Sequence, residues 1–158
     1  MTAFSDKILI SSCLLGNPVR YDGQSKGLIH PQITTWQQQG KLVLICPEVA
    51  GGLPVPRPRA EQRNGKVIDE YGNDVSEAFT RGAEAALALC KAQQIGFALL
   101  KEFSPSCGSS QVYDGQFNGT KIQGQGETAK LLTEHGIGVY SELTLSQLIN
   151  DYQALCGH

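Results

Sequence analysis

Three segments far apart in the chain share one ending, and that ending limits the possible folds more than any other feature. Lys7-Ile8-Leu9-Ile10-Ser11-Ser12 runs into Cys13, and Lys41-Leu42-Val43-Leu44-Ile45 runs into Cys46. Phe97-Ala98-Leu99-Leu100 leads through Lys101-Glu102-Phe103-Ser104-Pro105-Ser106 to Cys107. Short aliphatic runs bounded by polar, Gly or Pro residues read as buried parallel strands. In open α/β sheets the loops at the carboxyl ends of such strands converge on one crevice. Three cysteines are therefore expected to enter a single site.

The stretches between the strands supply helices. Pro31, whose missing N–H costs nothing at a helix start, opens one that stops at Gly40. The pattern predicts a long helix over about Val75–Gln94, with Asp74 and Glu77 as a capping box and Phe79, Ala83, Ala86 and Cys90 on one face. A further helix is expected over Glu127–His135, ended by Gly136, followed by a strand at Gly138-Val139-Tyr140-Ser141. Thr144-Leu145-Ser146-Gln147 reads as a capping box for the last helix. Val67-Ile68-Asp69 reads as a short edge strand. Prolines 47, 54, 56 and 58 and two glycines are expected to prevent regular helix over residues 46–59. Such a long connection in a compact domain is usually functional or disordered. This alternation predicts one α/β domain over residues 1–158, Rossmann-like, with a mostly parallel sheet and helices on both faces.

The formal net charge, 13 − 15 = −2, gives no strong pull toward nucleic acid or anionic membrane. No apolar run is long enough to span a bilayer, and Met1-Thr2-Ala3-Phe4-Ser5-Asp6 lacks the look of a secretory signal. The cytosol is thus the expected compartment, and its reducing poise disfavours structural disulfides. Five cysteines then point to metal, catalysis or core filling. Cys90 fits the apolar face of its helix, and Cys156, two residues from the end, is expected to be incidental. Cys13, Cys46 and Cys107 enter loops, where thiols make poor core material. They form no C-x-x-C pair, so zinc ribbons and common ferredoxin patterns are not matched. Three readings stay open: a soft metal centre, three buried thiols, or one nucleophile with two bystanders. Zinc would recruit His30 or His135 as a fourth ligand. An iron–sulfur cube on three cysteines would leave one iron without a protein ligand, a Lewis acid open to substrate. Gly124-x-Gly126-x-x-Ala129 matches a dinucleotide fingerprint on paper, but no buried strand precedes it and no acidic partner follows.

Taken together the motifs resemble a known family. They are Cys13-Leu14-Leu15-Gly16 with Arg20-Tyr21-Asp22-Gly23, Cys46-Pro47-Glu48-Val49-Ala50-Gly51-Gly52-Leu53, Pro56-Arg57-Pro58-Arg59-Ala60-Glu61, and Ser104-Pro105-Ser106-Cys107-Gly108. They resemble a bacterial family long called a domain of unknown function, whose characterised members are [4Fe-4S]-dependent thiouracil desulfidases. The likeness spans almost the whole chain, through Tyr113-Asp114-Gly115 to Gly136-Ile137-Gly138-Val139. It implies a [4Fe-4S] cluster on Cys13, Cys46 and Cys107, one that air would destroy. It also implies desulfuration without redox change: the sulfur of a small thiolated base binds the open iron, water attacks the carbon, and a carbonyl product and sulfide result. The chemistry needs a proton acceptor and donor. By resemblance Glu48 is the first candidate and Ser104 the second. Arg20 and Asp22 are expected to fix loops. Arg57 and Arg59 are candidates for a phosphate or carboxylate on the substrate, and Glu61 is left without a role. A non-catalytic iron–sulfur sensor and a zinc or thiol enzyme are the competing readings, and oligomeric state is left open.

Overall fold

The computed structural model describes residues 4–16 and 30–156. Strand β1 (Ile8–Ser11) passes into a 3-10 turn (Ser12–Leu15). Helix α1 (Pro31–Gln38), strand β2 (Leu42–Ile45) and the one-turn helix α2 (Pro47–Ala50) follow. Strands β3 (Ala60–Arg63) and β4 (Lys66–Asp69) form an antiparallel hairpin, and α3 covers Ser76–Gln93. Then come β5 (Phe97–Leu100), a second hairpin of β6 (Gln111–Tyr113) and β7 (Lys121–Gln123), and helix α4 (Glu127–Glu134). Strand β8 (Gly138–Ser141), a 3-10 turn (Glu142–Thr144) and α5 (Leu145–Cys156) close the chain.

The central sheet has the order β2-β1-β5-β8, and every pairing is parallel. The order reverses between β1 and β5, so the crevice of this doubly wound sheet opens at their carboxyl ends. Both central strands are apolar on both faces, as burial on two sides requires. Ile8, Ile10, Phe97 and Leu99 point to one side, where Ile33 and Trp36 of α1 and Leu145, Leu148 and Tyr152 of α5 cover them. Leu9, Ala98 and Leu100 point to the other, against Ala86 and Cys90 of α3 and Ala129 and Leu132 of α4. The period-2 alternation of side chains divides the core into these two layers.

Several boundaries differ from expectation. Residues 46–59, expected to hold no regular helix, contain the one-turn α2, because Pro47 falls at its first position, where a missing N–H costs nothing. The residues Val67-Ile68-Asp69 are in a strand, yet they pair with β3 and, through one bridge, with Asp74, away from the main sheet. Asp74 accepts the Ser76 N–H at 2.9 Å, while Glu77 pairs with Arg81 at 3.0 Å, so no capping box forms there. At the last helix the box lies three residues earlier. Ser141 accepts the Leu143 N–H (3.1 Å), and Thr144 Oγ1 accepts the Ser141 N–H (3.0 Å). The loop over residues 101–123 carries the β6–β7 hairpin. Cys90 is buried among apolar neighbours, as expected, and burial pushes its thiol up to about 11. Arg20-Tyr21-Asp22-Gly23 lies outside the described residues, as does the Cys156 side chain. Among the described residues no helix is long and apolar enough to cross a membrane.

Candidate active site

The carboxyl ends of β1, β2 and β5 frame a cavity of about 490 Å³. Cys13, Cys46 and Cys107 all line it, together with Glu48 and Ser104. None of the three thiols is in a disulfide. Cys13 and Cys107 are 7% and 5% exposed, and Cys46 is half-buried. Cys13 sits in the 3-10 turn that extends β1. Cys46 is the N-cap residue of α2, where Pro47 starts the helix without wasting an N–H.

Cys107 is held by a denser network. Ser11, the last residue of β1, accepts the Lys101 N–H (3.0 Å) and donates its hydroxyl to Cys107 Sγ (3.5 Å). The Ser104 oxygen accepts the N–H groups of Ser106 (3.1 Å) and Cys107 (3.2 Å), which folds the loop around the thiol. The Pro105 carbonyl accepts from the N–H of Glu127, and the Ser106 carbonyl from that of Thr128, so this loop caps the start of α4. The approach is close enough to demand glycine at position 126, where a Cβ would stand 2.4 Å from the Ser106 carbonyl carbon. That contact, not a dinucleotide, accounts for Gly126. Behind the loop, Glu102 is 3% exposed and gathers the N–H and O–H groups of Ser109 and Ser110 at 2.7 to 3.2 Å. Burial alone would raise its carboxyl. The four donors prevail and lower it.

Helix α2 places Cys46 and Glu48 by pressing on α3. A Cβ on Gly82 would lie 1.9 Å from the Pro47 carbonyl oxygen, and one on Gly51 1.9 Å from that of Ala78. The Arg81 guanidinium fixes the far end of α2, donating twice to the Gly51 carbonyl at 2.9 and 3.2 Å.

Both oxygens of the Glu48 carboxylate are engaged. Oε1 accepts from Arg57 Nε (3.1 Å) and Oε2 from the Ser104 hydroxyl (3.3 Å). Arg57 is nearly buried and gives Nη1 to the Pro54 carbonyl (3.0 Å). Two of its nitrogens are thus spent on the protein, at odds with a substrate-anion role. Arg59 faces Glu70 at 3.5 Å and lies 5.7 Å over the Phe117 ring. Glu61 is buried, with Oε1 accepting the Gly115 (2.9 Å) and Phe117 (3.2 Å) N–H groups, so it ties β3 to the β6–β7 hairpin. Gln62 adds bonds to the carbonyls of Pro105 (3.2 Å) and Gln125 (2.9 Å). Sequence reasoning missed Ser11, Glu102 and Gly82, because nothing local marks a serine that ends a strand or a glycine inside a helix as part of a site.

The thiols feel one another. Burial raises Cys107 strongly, the Ser11 hydroxyl opposes this, and the charges of Glu48, Cys46 and Cys13 add to the rise. Burial also raises Cys46, opposed by the Val49 backbone and by Arg57. Two neighbouring thiols that resist ionisation, Cys46 and Cys107, suit a cationic metal centre, which supplies the missing positive charge. Among the described residues no three His, Cys, Asp or Glu side chains converge on a point that one ion could fill. The histidines weighed for zinc are occupied locally: His30 Nδ1 caps α1 through the Gln32 N–H, and His135 Nδ1–H binds the Leu131 carbonyl. A cubane differs from an ion in taking one thiolate at each of three corners. It needs sulfurs spaced around a cavity, and that is the arrangement here. The donor set therefore fits an iron–sulfur cube better than zinc.

The profile of a family described as 2-thiouracil desulfurase matches residues 8–144. An uncharacterized protein, YbbK of Bacillus subtilis (strain 168), is 39% identical over 152 residues, covering 90% of this chain and 99% of its own. Among solved structures, the [4Fe-4S]-dependent thiouracil desulfidase TudS (DUF523Vcz) superposes with a TM-score of 0.93 at 52% identity, covering 95% of this chain and 99% of that one.

Proposed function

Because the chain belongs to the 2-thiouracil desulfurase family, we propose that it is a [4Fe-4S]-dependent desulfidase, one domain over residues 1–158, that hydrolyses a thiolated pyrimidine such as thiouracil. Cys13, Cys46 and Cys107 would hold the cluster. When bound, the cluster supplies an electrophilic iron with no protein ligand, suited to a substrate sulfur. The net reaction consumes one water, replaces C=S by C=O and releases hydrogen sulfide, so no electrons are needed.

Glu48 takes the proton from the attacking water and returns it to the leaving sulfur or a ring nitrogen. Its carboxylate is aimed by two donors on opposite oxygens, so little rearrangement is required when substrate enters. The Ser104 hydroxyl joins this carboxylate to the loop that carries Cys107, which places acid–base group and ligand on one rigid unit. Arg57 holds the carboxylate in position and balances its charge. A sensor would need the ligands but not this aimed carboxylate beside them.

The reading is carried by one observation: three cysteine thiols from three strand ends, none in a disulfide, line a cavity that Glu48 and Ser104 also line. Anaerobic reconstitution with iron and sulfide should give brown protein with about four irons per chain, releasing sulfide and uracil from thiouracil. Cys13→Ala, Cys46→Ala and Cys107→Ala should each lose colour and turnover, while Glu48→Ala keeps the colour and loses turnover. Full sulfide release by Cys46→Ala would overturn the assignment.

A further inference from the structure

Phe103 stands immediately before Ser104 and has a left-handed backbone, with φ of 69°. A bulky non-glycine residue holds that conformation only when its surroundings over-determine it, and such strain gathers at functional sites. Glycine would adopt it at no cost, so the ring itself is what the position retains. The residue is not a core filler: it is half-buried and lines the cavity beside Tyr113, Ser104 and Cys107. Its backbone is fixed by an N–H bond to Glu102 Oε1 (3.3 Å) and a bridge to Val112. Its ring is fixed by the β6–β7 hairpin. Lys121 Nζ stands 3.7 Å from the ring centroid, Lys101 Nζ 5.6 Å from it, and the Tyr113 ring lies 6.5 Å away at 53°. An ammonium at that distance over an aromatic face is attracted to it and pins the ring.

We propose that the Phe103 ring is the surface on which the flat heterocycle of the substrate stacks, which makes it the residue that selects aromatic thioamides over aliphatic ones. The proposal rests on the desulfidase reading above. A ring immobilised in advance loses little freedom on binding, so the contact is used efficiently. Stacking is tolerant of substituents, because every base has a π-face. This suits a site whose Glu48 and Ser104 are held for proton transfer, which leaves recognition of the flat ring to its faces.

The test compares wild type, Phe103→Leu and Phe103→Tyr as reconstituted protein. Calorimetry reads the binding of uracil, which cannot react, and kinetics reads KM and kcat with thiouracil. Phe103→Leu should weaken uracil binding and raise KM by about 5- to 150-fold, the range expected for one stacked base. The loss should fall on KM more than on kcat, and iron content should be retained. Phe103→Tyr keeps the ring and should remain close to wild type. Removing the pin with Lys121→Ala should weaken uracil binding in the same direction, by less. Uracil binding by Phe103→Leu within twofold of wild type overturns the proposal, as does equal loss in Phe103→Tyr with iron retained. Wild type that fails to bind uracil overturns it too. Wild type that binds uracil through Phe103 but releases no sulfide from thiouracil would refute the desulfidase reading alone.

Discussion

Replacing Gly82 by alanine tests how the site is positioned, because the residue touches none of the candidate functional groups. Its added Cβ would meet the Pro47 carbonyl oxygen at 1.9 Å. Real Cβ contacts are essentially never below 3.0 Å, so helix α2 must retreat by at least 1.1 Å. Overpacking of this kind costs about 1–3 kcal/mol. Alanine regains about 1 kcal/mol over glycine inside a helix. The net loss of stability is therefore about 0–2 kcal/mol, or a fall in Tm below about 8 °C. Function should suffer more. Pro47 lies between Cys46 and Glu48, so both move with the carbonyl, and a displacement of 1 Å at a reacting centre can cost about 100-fold in rate. Gly82→Ala should then show a modest drop in melting temperature, lowered iron retention and a drop in sulfide release of about two orders of magnitude. Glu84→Ala, on an exposed position of the same helix, is the control and should match wild type. Turnover and iron content within twofold of wild type in Gly82→Ala would refute the argument that this helix crossing sets the place of Cys46 and Glu48.

Two other substitutions test the loop around Cys107. Ser104→Ala removes the donor to Glu48 and the acceptor for two N–H groups, so turnover should fall about 10- to 100-fold, and activity within twofold of wild type would exclude a role for the hydroxyl. Glu102 has its carboxyl lowered from an ordinary value near 4.5. Its stabilisation is complete above that value and is lost as pH falls through the lower folded value. Glu102→Gln should therefore destabilise the protein at neutral pH, by about 1.5–3 kcal/mol for the charged bonds it weakens. It should also flatten the loss of stability below about pH 5. Denaturant melts from pH 7 to pH 3 read both effects, and an unchanged acid limb would show that the loop does not depend on this carboxylate.

Much of the arrangement could be read in advance because burial leaves a plain signature. Ile8-Leu9-Ile10 and Phe97-Ala98-Leu99-Leu100 are apolar on both sides, and only a central parallel strand covered by helices uses such a run. The polar hairpin of β3 and β4 left no such trace in hydrophobicity. Its signal was Asn64-Gly65, whose positive φ values of 51° and 78° make a tight turn of the hairpin type. Such a dipeptide marks a hairpin in sequence even where hydrophobicity is silent. The displaced capping box has another cause: Ser141 and Thr144 satisfy the pattern three residues earlier, through a 3-10 turn that continues into α5. At the site, the three cysteines were found from strand ends, and Glu48 and Ser104 from resemblance. The Glu48–Arg57 pair was not legible, since an irregular, proline-rich stretch with no period sets its geometry. Pairings such as Ser11 with Cys107, 96 residues apart, depend on the sheet being assembled first.

The two layers of the core give the site a role in the architecture of the molecule. Cys13 packs with the α1–α5 layer and Cys107 with the α3–α4 layer. A prosthetic group bound to both would link the two faces of the core at the rim of the sheet that separates them. Loading would then act as a fastener as well as an activation step, tying together at one end two layers that are otherwise joined through the paired strands between them.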